Sequence, residues 1–183
     1  TKTNKVGFVA GLVGPAIIKV AEGYKLGVQA VNPNCDVYTA YTGSTEDVQK
    51  SKEAAQAMID KGVDLIGGGG NASNAGMIKA CEEAGVYAFG ELEQQNLAPE
   101  TVIFCNMNNI ENLVLQAVKD TIDGDFQGCI REYGIAADVA QLTEYNSHVP
   151  QEVKDKLAEC MDQMRSGELD IPMITEISDD IIH

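Results

Sequence analysis

A chain of 183 residues is long enough for one hydrophobic core, or one core and part of a second, but too short for two ordinary domains. Its formal charge of −15 repels phosphate backbones and anionic lipid surfaces, which argues against nucleic-acid binding as the main activity. With 44% hydrophobic and 22% charged residues it reads as globular, and no apolar run approaches the roughly 18 residues that a membrane helix needs.

The first apolar run, Lys5–Ala10, is short, continuous and rich in β-formers, then breaks at Gly11 and Gly14-Pro15, as a buried parallel strand should. Ile17, Val20, Ala21, Tyr24 and Val28 follow at helical spacing. Asp36–Tyr41 is the second strand. Ser44 is placed to cap the next helix, with Glu46 and Asp47 at its positive end and Val48, Ala55, Met58 and Ile59 on its buried face. Val63–Ile66 reads as a third strand, followed by the glycine run Gly67–Gly70 and a helix that is capped near Ser73 and closed at Gly85. Val86–Gly90 is the fourth. Strand-to-strand spacing of a βα unit implies right-handed crossovers and a doubly wound parallel sheet.

Near residue 105 the pattern changes. Net charge is −4 over residues 1–105 and −11 over 106–183, and the acid-rich part reads as solvated surface. Thr101–Met107 is expected to be a strand that leaves the sheet, and Ile110–Ile122 an amphipathic helix. Cys129–Tyr133 and Asp138–Thr143 suggest a hairpin around Gly134–Ala137. Pro150 opens a last helix with Val153, Leu157, Met161 and Met164 on one side and Gly167 as its stop.

In open parallel sheets, ligands sit beyond the carboxyl ends of the strands. The segments to inspect are therefore Gly11–Pro15, Tyr41–Ser44, Gly67–Asn74, Glu91–Gln95 and Asn106–Asn109. The glycine run permits close backbone approach, with Asn71, Ser73 and Asn74 beside it, but a tight strand-to-helix turn explains it equally well. It carries neither Gly-Lys-Ser/Thr nor G-x-G-x-x-G, so nucleotide hydrolysis and dinucleotide binding lack support. Glu91 and Glu93 follow the fourth strand, and a carboxylate there can accept from the neighbouring hydroxyls of a sugar. Of the two, Glu91 is the better candidate. Phe8, Tyr41 and Phe89 either stack on a flat ring or pack the core. Asn106, Asn108 and Asn109 cluster where the βα pattern ends, where amides suit a neutral polar ligand, although asparagine is also ordinary loop chemistry. Five cysteines without C-x-x-C spacing read as buried free thiols. His148 and His183, the two histidines, are too few for a metal site or a catalytic triad. Neither an enzymatic centre nor a cofactor is expected.

Val6-Gly-Phe-Val-Ala-Gly11, Glu22-Gly-Tyr-Lys-Leu-Gly27, Val31-Asn-Pro33, Tyr41-Thr-Gly-Ser44 and Glu91-Leu-Glu-Gln94 with Leu97-Ala-Pro99 resemble the basic membrane protein family. The likeness continues through Gly124–Gly128, Tyr133-Gly134 and Val149–Val153 to Ser166-Gly167, nearly the whole chain. It implies a type I periplasmic-binding-protein fold whose two lobes close over a purine nucleoside or related solute for delivery to an ABC transporter permease. Residues 1–105 then form one complete βα-repeat lobe. Residues 106–183 cross the hinge and supply the C-terminal part of the other lobe, which is incomplete without an upstream segment. By the same resemblance Glu91 matches the acid that holds ribose hydroxyls, and Gln94 its companion. Asn108 stands where a lysine is expected and Val20 where an aromatic is common, two departures in nucleoside recognition. The expected ligand-binding set is Phe8, Gly11, Gly69, Asn71, Glu91, Gln94, Asn106 and Asn108. The expected location is extracytoplasmic, lipid-anchored or periplasmic, with the export signal upstream. If the chain is instead naturally short, a self-associating sensor or interaction domain is the alternative, with a homodimer covering its uncovered half-lobe.

Overall fold

The computed structural model of the chain describes residues 1–177, so His183 lies outside the described residues. Five strands are parallel: β1 (Lys5–Ala10), β2 (Asp36–Tyr41), β3 (Leu65–Gly69), β4 (Tyr87–Glu91) and β5 (Val102–Asn108). A short β6 (Ala140–Leu142) pairs antiparallel with β5, giving the order β2-β1-β3-β4-β5-β6. The helices are α1 (Pro15–Val31), α2 (Val48–Asp60), α3 (Asn74–Ala84), α4 (Ile110–Asp123) and α5 (Gln151–Ser166). Each crossover from β1 to β4 carries one helix, as the alternation of apolar strands and helical stripes in the sequence requires.

The central strands β1 and β3 are buried along nearly their whole length because both sheet faces are covered there. On one face Val9, Ile66, Ala88, Val102 and Cys105 meet Ala55 and Met58 of α2 and Met77, Ile78 and Cys81 of α3. On the other, Phe8 and Ala10 pack against Ile17, Ala21 and Tyr24 of α1. The two covering helices on the first face touch backbone to backbone at Gly76. A Cβ there would stand 1.9 Å from the Val48 carbonyl oxygen.

Several expectations change at element ends. β3 begins two residues later than expected and takes in Gly67–Gly69, which therefore are strand and not loop. Packing is the reason: a Cβ on Gly69 would lie 2.9 Å from the Phe8 ring, so the third strand leaves its side chains off to make room for that ring. Ser44 does not cap α2. Its Oγ accepts from the Glu46 and Asp47 amides one turn earlier, and Asp47 caps by accepting from Lys50 N–H at 3.0 Å. Val48, expected on the buried face, is exposed at the first turn of α2. Ser73 holds the N-cap position of α3 without a capping bond, because its hydroxyl donates to Gly70 O at 2.8 Å.

β5 stays in the sheet, parallel to β4, rather than leaving it. The expected hairpin does not form, since Cys129–Tyr133 is not a strand. Arg131 instead pairs with Asp120 and donates to Asp125 O, which folds that segment against the end of α4, while β6 finds its partner in β5. Gly85, Gly124 and Gly167 close α3, α4 and α5 in the left-handed conformation. Of the cysteines, Cys35, Cys81 and Cys105 are buried, whereas Cys129 and Cys160 are exposed, contrary to the reading of all five as buried.

Candidate functional site

The carboxyl ends of β3 and β4 carry a closed set of polar contacts. Glu91, the last residue of β4, turns its Oε2 to the Asn71 backbone N–H at 3.0 Å and the Asn74 amide at 2.9 Å. Gln94 sits in the short 3-10 turn after β4. Its Oε1 accepts from Glu91 N–H at 2.9 Å and from Asn74 at 3.2 Å, while its Nε2 donates to Asn71 O at 2.8 Å. Asn74 completes the set by accepting from Gly70 N–H at 3.0 Å.

Local backbone geometry makes this possible. Asn71 has φ of 50°, the left-handed conformation that asparagine tolerates better than most residues, and its N–H points at Glu91. Leu92, with φ of 55°, turns the chain after Glu91 and donates to Asn106 O on β5 at 2.8 Å. Glu91 and Asn106 are also register partners on adjacent strands. Burial pushes the Glu91 carboxyl above the ordinary range, and the Asn71 and Asn74 hydrogen bonds pull it partly back.

The expected set therefore divides. Asn71, Glu91 and Gln94 come together, with the exposed Asn106 beside them. Asn108 is exposed further along β5, opposite Ala140. Gly11 is buried and structural: its N–H donates to Gly69 O and its carbonyl accepts from Gly43 N–H. Phe8 and Gly69 are core residues, with Phe8 packed on Tyr24 at 5.4 Å between ring centroids and 3% exposed. Phe89 continues that aromatic row to Phe104 at 4.6 Å. Asn74, left out of the expected set, is the hub. Its position three residues after Asn71, in the first turn of α3, was the signal available in the sequence.

Farther along β5, Met107 and Asn108 line a groove of about 210 Å³ with Leu157, Met161 and Met164 of α5. Thr143, just past β6, accepts from Cys105 N–H at 2.8 Å and stitches the returning chain to the sheet. The assembled groups accept and donate hydrogen bonds. None of them pairs a nucleophile with a base.

A mostly parallel, doubly wound sheet with polar loops gathered at its carboxyl edge is an architecture in which ligands sit at the strand ends. Solved structures agree on the fold. A transcriptional activator of the comK gene from Bacillus halodurans superposes with a TM-score of 0.81 at 23% identity over 92% of this chain and 59% of that one. An ABC transporter solute-binding protein from Conexibacter woesei gives 0.79 at 23% over 95% and 59%. The chain belongs to the Bmp family, described as ABC transporter substrate-binding protein PnrA-like, whose model matches residues 1–175. Among curated relatives, the CD4+ T-cell-stimulating antigen of Listeria monocytogenes is 30% identical over 94% of this chain and 53% of its own length. A purine-binding protein of Brucella abortus is 25% identical over 92% of this chain and 48% of its own. The chain spans about half the length of the curated relatives it matches.

Proposed function

We propose that this chain supplies one wall of the ligand cleft in the solute receptor of an ABC importer, and that the solute is a hydroxyl-bearing, nucleoside-like molecule. The observation that carries this reading is Glu91, held at the strand ends by Asn71, Asn74 and Gln94 in a chain of a substrate-binding family. A half-buried carboxylate oriented by two donors, the Asn71 backbone N–H and the Asn74 amide, is a pre-organised acceptor for a hydroxyl. The purine-binding relative supports the nucleoside class. In this reading residues 1–105 form one lobe, residues 106–183 cross to the other, and closure brings a permease partner on the extracytoplasmic side. The chemistry is binding without a covalent step.

A nucleoside panel in a thermal-shift assay tests it, because a ligand at 100 times its Kd stabilises by about 2.7 kcal/mol. A clear upward shift with at least one nucleoside, lost in Glu91→Ala, is the expected result. No shift with any nucleoside at millimolar concentration removes the nucleoside assignment.

A second reading, a non-transport sensor or interaction domain that self-associates, is favoured by a different observation. Helix α4 has no buried residue, and Ile110, Val114, Val118 and Ile122 recur along it with Phe126 beyond its end, all exposed. In the receptor reading the family's remaining length covers this face. In the sensor reading a second copy does.

A further inference from the structure

The hydrogen bonds to Glu91 are divided unequally between its oxygens. Oε2 accepts from both the Asn71 N–H and the Asn74 amide, which uses its two lone pairs. Among the described residues no protein group donates to Oε1. Glu91 is only partly buried, and Oε1 is the carboxylate oxygen that these contacts leave available. Asn74 is fully committed. Its side chain lies in a residue that is 0% exposed, its two amide protons go to Glu91 Oε2 and Gln94 Oε1, and its own oxygen holds Gly70 N–H. Gln94 is tied in the same way, by two accepted bonds and one donated.

We propose that Asn74 is a specificity-determining residue of this site: by occupying Oε2 it leaves Glu91 one open acceptor, so a ligand is held there through a single donor and not across a vicinal diol. The proposal rests on Glu91 being the ligand's acid. Asn74 acts through Glu91 and does not touch the solute. The chemical consequence is a pocket with weak preference between a ribonucleoside and an analogue lacking one of its two neighbouring hydroxyls. A diol clamp needs both carboxylate oxygens, and the second is not free.

The test has one arm with ligand and one without. Adenosine, 2′-deoxyadenosine and 3′-deoxyadenosine are titrated into the protein by calorimetry. At least one deoxy analogue is expected within about threefold of adenosine, less than about 0.7 kcal/mol. Tenfold or greater weakening of both overturns the single-donor assignment while leaving the receptor reading intact. In the second arm the Glu91 carboxyl carbon is followed by NMR across pH. Asn74→Ala removes a bond to the charged form, so the Glu91 midpoint rises. Asn74→Asp, which keeps an acceptor for Gly70 N–H if the alanine variant fails to fold, also raises it, by placing a second carboxylate alongside. An unmoved midpoint in a folded variant overturns the bracket. A folded protein that binds none of the three nucleosides retires the nucleoside reading and the single-donor assignment together, while the midpoint still decides whether Asn74 holds Glu91.

Discussion

Burial holds the Glu91 carboxyl above the ordinary carboxylate range, against the pull of its hydrogen bonds to Asn71 and Asn74. A carboxyl raised in the folded state keeps its proton to higher pH than in the unfolded chain. Its contribution to stability is therefore largest below the ordinary carboxylate pKa and declines as pH rises from there through the folded value. Glu91→Gln removes this decline. Urea midpoints measured between about pH 4 and 7 should show the wild-type advantage over Glu91→Gln shrinking as pH rises. The cysteines offer a second check. Burial pushes the Cys81 thiol up to about 12 and raises Cys105 and Cys35 as well, whereas Cys129 and Cys160 are exposed. Native protein should expose two thiols to a disulfide reagent and all five after denaturation. At this scale the sequence was partly legible. Glu91 and Gln94 stand at a strand end, which periodicity locates. Core packing was one of two readings open for Phe8, but that Gly69 makes room for its ring was not legible, because it depends on a ring from β1 lying across β3.

Among the elements, the α2 and α3 pair is the most closely packed contact, and Gly76 is the reason. An alanine methyl would overlap the Val48 carbonyl, so the two helices must separate along their length. Gly76→Ala should destabilise by about 3 kcal/mol, the upper end for overpacking, as measured by urea unfolding. Gly69→Ala is a milder case, because the Phe8 ring that it meets can be shortened. A loss of roughly 1–3 kcal/mol is expected, partly recovered in the Phe8→Leu, Gly69→Ala double variant. A loss in the double variant equal to the sum of the two single losses would show that the two sites are not coupled. The helical and strand periods were read from the sequence to within a few residues because they reflect burial on one face, a local pattern. The hairpin was misread because alternation alone does not say which strand a segment joins. Arg131 and the open edge of β5 decided that.

For the whole molecule, the open question is what covers α4. Its apolar face and Phe126 border grooves of about 340 and 370 Å³, and a face of this kind in water favours association. Sedimentation equilibrium of the 183-residue chain across a hundredfold concentration range should show self-association, and Val118→Glu with Phe126→Glu should return it to monomer. A monomer at every concentration removes the second-copy reading and leaves the family's remaining length as the cover. The sequence by itself determined the βα alternation, the strand-end position of Glu91 and the acid-rich, non-repeating second part, because each is written in local composition and period. Only the tertiary structure decided that β5 and β6 remain in one sheet, that the glycine run makes room for an aromatic ring, and that Asn74 takes one oxygen of Glu91. Those outcomes depend on contacts between residues distant in the chain, where packing and the allocation of hydrogen-bond partners, rather than periodicity, set the result.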